Sequence, residues 1–452
     1  MMDWSQLLTR KRLGKKASED PQSESGRTCF QKDYDRLIFS ASFRSLKDKT
    51  QIFPLSKNDY VRTRSIHSLE VSCVGRSLGE IVGREIINRH QLLDFTPSDF
   101  GDIVCAACLA HDIGNPPFGH AGEDAIRNAF KDWYSSLYQS DRAMFTMQQK
   151  ADFDMFEGNA QGFRIVARQE VHHVPGGMQL TCPTLATFMK YPRESYIPEY
   201  IFEQYRIQAE QNSKSTLKYG FFQAETELFT EVAKTVGLIK RHPDYAWWAR
   251  HPLVFLVEAA DDICYHIVDL EDGHYMNYIK YREARKLLEE IVKPVKPKSP
   301  VESEVERIRY LRAKAIGTLV EEIAEIFLAY EQEILAGTFD RDLIYQSKHC
   351  DVLKEILQIT HDRVYFHPDV IRIQIAGYRV LGDLFFQFVD AALNGKNNHR
   401  SSIVQKMMPE KYRPLDRDNC YEKILKVTDY ISGMTDSFAT SLFQQFRGIS
   451  LS

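Results

Sequence analysis

Apolar positions recur along most of this chain at three- and four-residue steps, the period of a helix with one buried face. Val71, Val74, Leu78, Ile81 and Val82 form such a stripe and predict an amphipathic helix after His67. Residues 102–110 are apolar almost without interruption, the pattern of a helix buried on most sides. Gly114 and Pro116-Pro117 stop that helix just past His111-Asp112, since proline has no amide hydrogen and clashes with the preceding turn. The next helix starts at Gly119-His120 and runs through Glu123, Ile126 and Phe130. Others are predicted over 253–270, 277–292 and 301–335. Ile371, Ile373 and Ile375 alternate as in a strand, but Ala376, Val380, Leu381, Leu384 and Phe385 continue the segment with helical spacing. The expected class is all-α, a helical core elaborated by N- and C-terminal helices.

Two stretches lack this period. Residues 1–26 are polar and predict a mobile N-terminal arm, with one short helix between Trp4 and Leu13. Lys293-Pro294-Val295-Lys296-Pro297-Lys298-Ser299-Pro300 cannot continue a helix and reads as a Pro/Lys linker over 293–300. It divides a catalytic core with helical insertions, 27–292, from a C-terminal helical region, 301–452, expected to pack on that core.

Composition narrows the class without naming a function. Within 452 residues, 43% apolar and 27% charged side chains are the mix of a soluble globular protein. A formal charge of −4 argues against a dedicated nucleic-acid coat, while a local basic groove stays open. The chain opens on no signal peptide, and no apolar run reaches the roughly 18 residues of a membrane span. The eight cysteines are scattered, and Cys105 and Cys108, a lone CxxC, read as small buried residues on an apolar helix. The expected location is therefore a reducing cytoplasm. Neither GxGxxG nor GxxxxGK[ST] occurs, so phosphate binding must come from side chains and metal.

Candidate chemistry centres on His111-Asp112-Ile113-Gly114-Asn115-Pro116-Pro117-Phe118-Gly119-His120-Ala121-Gly122-Glu123. His111 and Asp112 offer an imidazole nitrogen and a carboxylate oxygen to a divalent ion, and His120 and Glu123 are placed for proton transfer. His67 and Asp261 complete a four-ligand set in the order His, His-Asp, Asp, the signature of a metal phosphohydrolase. Asp261 is preferred over Asp262 because it shares a helix face with Tyr265 and Asp269, each four-residue step drifting only about 40°. The ligand types favour one divalent ion per site, Mg2+ or Mn2+ ahead of Fe, Ni or Zn. His361-Asp362 is another His-Asp pair, but it lacks the Gly-Asn-Pro-Pro turn and the trailing His and Glu, and reads as structural.

The motifs together make the chain resemble the HD-domain deoxynucleoside triphosphate triphosphohydrolases, most closely the bacterial dGTPase family. The likeness runs from Arg27 to about Phe386 through Asp33-Tyr34-Asp35-Arg36, Ser42-Phe43-Arg44, Asp48-Lys49-Thr50-Gln51, Arg62-Thr63-Arg64 with His67, and the 111–123 stretch. It continues through Phe156-Glu157-Gly158-Asn159-Ala160-Gln161, Lys218-Tyr219-Gly220-Phe221-Phe222 and Ala260-Asp261-Asp262-Ile263-Cys264-Tyr265. Ser45 departs from the family pattern, where a second arginine follows Arg44. The resemblance implies an HD-domain core, a homo-oligomer (hexamer or tetramer), and release of deoxynucleoside and tripolyphosphate after water attacks the α-phosphorus of a dNTP, dGTP favoured. It implies that Arg64 meets phosphate or sugar, Gln51 and Asp269 the 3′-hydroxyl, Tyr265 the C2′ edge, and Lys218 the β- and γ-phosphates. Asn159 and Gln161 would line the same pocket or serve structure, and Tyr365-Phe366-His367-Pro368, a further matching segment, carries no assigned chemistry. A nucleotide or single-stranded DNA effector is also implied. The competing readings are another HD phosphohydrolase, a nucleotide phosphatase or phosphodiesterase, and a nucleotide- or DNA-responsive regulator, for which an intact His120 and Glu123 would have no use.

Overall fold

In the computed structural model, which describes residues 1–15, 26–52, 61–209, 214–292, 303–395 and 397–450, the apolar run becomes the central helix of an all-helical body. The helices that build the core and carry the chemistry run, in chain order, α1 (Trp4–Leu7), α2 (Arg64–His90), α3 (Pro97–Ala110), α4 (His120–Ser136), α5 (Gly158–Arg164), α6 (Val254–Tyr275), α7 (Glu304–Ala329), α8 (Pro368–Asn394), α9 (Cys420–Ser432) and α10 (Asp436–Phe446). Among the described residues, extended pairing is limited to isolated bridges such as Thr50 with Thr63.

Sequence sets the start of α3. Pro97 takes the first helical position, where its missing amide hydrogen costs nothing, and the Asp99 carboxylate accepts from the Thr96 amide at 2.8 Å. From Asp99 to Ala110 every residue is buried. Antiparallel to α3 lies α2, and Gly75, Gly79 and Gly83, four residues apart, face it. A Cβ on Gly79 would sit 2.8 Å from the Phe100 carbonyl oxygen, so only glycine permits this backbone approach. The close packing brings His67, in the first turn of α2, to the end of α3 where His111 emerges. Across both packs α6, which delivers Asp261.

Two apolar clusters surround this frame. One gathers Met2, Trp4 and Leu7 with the inner faces of α2, α3, α6 and α7; the other joins α4 to α8, α9 and α10. The C-terminal helices thus share both clusters with the segments before residue 292.

Several boundaries differ from those the pattern predicts. The arm expected over 1–26 is not free along residues 1–15: Trp4, Leu7, Leu8 and Leu13 are buried, and α1 is shorter than predicted. Trp4 Nε1 donates to Glu331 at 3.0 Å, and buried Arg12 pairs with Asp33 at 2.6 Å. The polar average of this stretch hides five apolar anchors, Met2 included. The expected linker at 293–300 lies outside the described residues. The helix predicted over 301–335 breaks at Tyr330 into α7 and a short Glu331–Ala336 helix, and that over 277–292 spans Tyr281–Ile291. The 371–385 segment lies within α8, helical as its spacing requires. Cys105 and Cys108 are buried, unbridged residues of α3. His361 and Asp362 form an exposed surface pair 3.1 Å apart. No helix among the described residues is long and apolar enough to cross a membrane.

Gly79→Ala tests the close α2–α3 approach. The gain in helix propensity, about 1 kcal/mol, should be outweighed by overpacking of about 1–3 kcal/mol against a backbone carbonyl that cannot rotate away. The urea midpoint should fall; a midpoint equal to or above wild type would contradict the argument.

Candidate active site

Three helices meet at one cluster. His67 Nε2 lies 3.0 Å and His111 Nε2 3.6 Å from the same Asp261 carboxylate oxygen, and the three donor atoms fall within 4.8 Å of one another. The imidazole rings meet edge to face, with centroids 5.3 Å apart. His111 sits at the C-cap of α3, where its Nδ1 is 2.6 Å from the Cys108 carbonyl. That contact makes Nδ1 the donor to the carbonyl and turns Nε2 toward Asp261. Burial raises the Asp261 carboxyl, but His111, His67 and Lys190 outweigh it and hold it well below the usual carboxylate range.

Asp112 stands beside this trio. Its Oδ1 accepts from Arg64 at 2.7 Å and from Asn115 Nδ2, while its Oδ2 is buried, without a hydrogen-bond partner among the described residues, and 3.7 Å from His111 Nε2. An orphaned carboxylate oxygen is costly to bury unless a cation meets it. The two imidazole nitrogens and the Asp261 carboxylate are a donor set for one divalent ion, with the Asp112 oxygen beside them. The residues present fit such a group.

From Asp112 the chain turns sharply. Gly114 is pressed so close to α5 that a Cβ would overlap the Gly158 carbonyl at 1.9 Å. Phe118 takes a φ of +63° and Gly119 +59°, left-handed values that aim the next residue, His120, back toward the cluster. The result is a cavity of about 350 Å³ with His67, His111, Asp112 and Asp261 in its lining, alongside Gln51, Arg64, His120, Asn159, Lys218 and Tyr265.

The His120 side chain makes no hydrogen bond among the described residues, and partial desolvation at the cavity wall together with Lys218 and Arg64 lowers its pKa, favouring the neutral imidazole. Lys218 pairs with Glu157 at 2.7 Å, and Glu157 is pushed up to about 7 by burial and by the neighbouring Glu123. Gln51 lines the cavity with a buried Oε1 that has no hydrogen-bond partner among the described residues. Arg64 uses one guanidinium nitrogen on Asp112, so it braces a candidate ligand as well as facing the cavity.

Two expected assignments change. Glu123 does not pair with His120: its carboxylate is buried and accepts the Gly158 amide hydrogen at 2.7 Å, with Arg127 3.7 Å away. The entry of the chain into α5 claims the oxygen that helical spacing had offered to His120. Asp269 is buried behind Tyr365, whose hydroxyl donates to it; burial raises its carboxyl to about 7. Tyr365 and Tyr265 stack 5.5 Å apart and both line the cavity. Gln161 is drawn away as well, donating to Asp429 at 2.8 Å.

Sequence reasoning also missed cavity residues. Lys190 lines the cavity 3.5 Å from Glu258, in a segment without a recognisable motif. Tyr365 carried a signal, its Tyr-Phe-His-Pro match, but no chemistry was attached to it. With Arg64 and Lys218, Lys190 gives the cavity three cationic side chains beside three lining tyrosines, Tyr191, Tyr265 and Tyr365. Such a cavity can take a polyanion that carries a flat or cyclic group.

Comparison with known proteins agrees with this geometry. Residues 64–174 match the HD domain, and residues 343–445 match the phosphohydrolase-associated domain. A deoxyguanosinetriphosphate triphosphohydrolase-like protein of Synechocystis sp. is 57% identical over the whole of both chains. A protein of the same description from Pseudomonas aeruginosa is 40% identical over 99% of each. The deoxyguanosinetriphosphate triphosphohydrolase of Salmonella paratyphi A is 28% identical over 93% of this chain and 94% of its own. Full-length identity at this level, joined to a cluster of two histidines from the HD segment with Asp261, makes this chain a hydrolase that belongs to the deoxyguanosinetriphosphate triphosphohydrolase-like family of HD-domain proteins.

Proposed function

We propose that the protein hydrolyses 2′-deoxynucleoside 5′-triphosphates, dGTP foremost, to deoxynucleoside and tripolyphosphate by attack of water at the α-phosphorus. The observation that carries this reading is the convergence of His67, His111 and Asp261 in the lining of a cavity that also holds Arg64, Lys190, Lys218 and His120. The names of the relatives supply the substrate.

His67, His111, Asp112 and Asp261 would hold a divalent ion, which when bound polarises the α-phosphate and lowers the pKa of a coordinated water. Two nitrogen donors favour Mn2+ over Mg2+, which prefers an all-oxygen shell. Lys218 and Lys190 neutralise the β- and γ-phosphates, each balanced in the free enzyme by a glutamate it can leave. Arg64 divides its guanidinium between Asp112 and the phosphate or sugar. Tyr265 closes against the C2′ edge and disfavours a ribose hydroxyl, while Gln51 hydrogen-bonds the 3′-hydroxyl. Asp269 acts through the Tyr365 hydroxyl it accepts. His120 exchanges the proton of the reaction, and Glu123 fixes the backbone around it.

Two measurements test the reading. Protein loaded with Mn2+ is incubated with each dNTP and rNTP and its products resolved by ion exchange. Tripolyphosphate from dNTPs, with slower turnover of rNTPs, is expected; orthophosphate or a nucleoside monophosphate would transfer the site to the phosphatase or phosphodiesterase reading. His120→Ala should lose about 10²–10⁴-fold in kcat while binding Mn2+ as tightly as wild type. Near-normal turnover would remove His120 from the proton-transfer role.

A further inference from the structure

We propose that Asp436 is a positioning residue for this reaction: one carboxylate from the C-terminal helices sets the spacing between the cavity wall that carries Gln51 and the wall that carries His120. The inference rests on the functional reading above and adds a residue far from the HD motif. Asp436 opens α10 and is 1% exposed. Its Oδ1 accepts the Phe118 amide hydrogen at 3.0 Å; its Oδ2 accepts the Thr50 amide at 3.0 Å and the Thr50 hydroxyl. Thr50 and Phe118 both line the cavity, one residue before Gln51 and two before His120.

A second tie spans the same three segments. Buried Lys49 donates through Nζ to the Asn115 carbonyl at 2.7 Å and to the Ser432 carbonyl, the last residue of α9, at 2.6 Å. Burial raises the Asp436 carboxyl, and the Thr50 and Phe118 hydrogen bonds together with the nearby Lys49 offset only part of that rise. Residues 49–50, 115–118 and 432–436 therefore form one joint in which side chains hold backbone atoms. Phe118 needs such a hold, because an aromatic residue at φ +63° relaxes to an extended or helical value when released.

The joint meets α2 at its first residue, where the Lys49 carbonyl accepts the Arg64 amide hydrogen at 3.2 Å, but Asp436 itself bonds to none of His67, His111, Asp112 and Asp261 among the described residues. Asp436 contacts neither the cluster nor the cavity directly; it acts through Thr50–Gln51 and through Phe118–Gly119–His120. Metal affinity and turnover should consequently separate.

Asp436→Ala, Asp436→Asn and Leu425→Ala, a core variant in α9, are compared by dNTP turnover, Mn2+ calorimetry and melting. Asp436→Ala should lose about tenfold to a hundredfold in kcat/KM, with KM raised and kcat lowered, while Mn2+ affinity stays near wild type. Asp436→Asn should be intermediate, since its single carbonyl oxygen can serve only one of the two walls. Leu425→Ala should melt earlier with kcat/KM unchanged. Wild-type kinetics in Asp436→Ala, or the same kinetic loss in Leu425→Ala, would overturn the proposal. If the wild-type protein cleaves no dNTP, the functional reading fails, and amide exchange then judges the joint. Thr50 and Phe118 should exchange faster in Asp436→Ala than in Leu425→Ala, and equal rates would overturn it.

Discussion

A single carboxylate shared by two imidazoles, one buried and one half-buried, governs this molecule. Asp261 draws His67 and His111 from separate helices to 3.0 and 3.6 Å, and Asp112 leaves a second oxygen beside them without a hydrogen-bond partner among the described residues. Burying such a group is unfavourable by itself, because desolvated carboxylates need compensating charge. The fold is arranged to tolerate it: glycines let α2 and α3 close up, and α6 crosses them at the height where Asp261 meets both rings. Every later feature follows from holding this point of negative charge still.

Around the cluster, charge is distributed in opposing pairs. Arg64 meets Asp112, Lys218 meets Glu157, and Lys190 meets Glu258. Each cation is compensated in the interior by a carboxylate, which spares the cavity the self-repulsion that an unpaired basic pocket would carry.

How much of this was legible in residues alone depends on distance along the chain. The all-helical class and the stop after His111-Asp112 follow from spacing and from Gly and Pro. Asp261 could be chosen over Asp262 from helix geometry. Direction on a helix does not reveal a partner, however: Glu123 is engaged by the Gly158 amide and Asp269 by the Tyr365 hydroxyl, each from a distant segment. Lys190 and Asp436 sit where no pattern marks them, and the first fifteen residues are polar on average although five apolar side chains anchor them. What remained hidden are contacts made only when remote backbone segments are brought together.

The account depends on the four side chains sharing one cation, and anomalous diffraction from a Mn2+-loaded crystal addresses that most directly. One strong peak per chain should lie between His67, His111, Asp112 and Asp261, bonded to all four. A peak elsewhere, or a well-diffracting loaded crystal with density for these side chains and no peak among them, would contradict it.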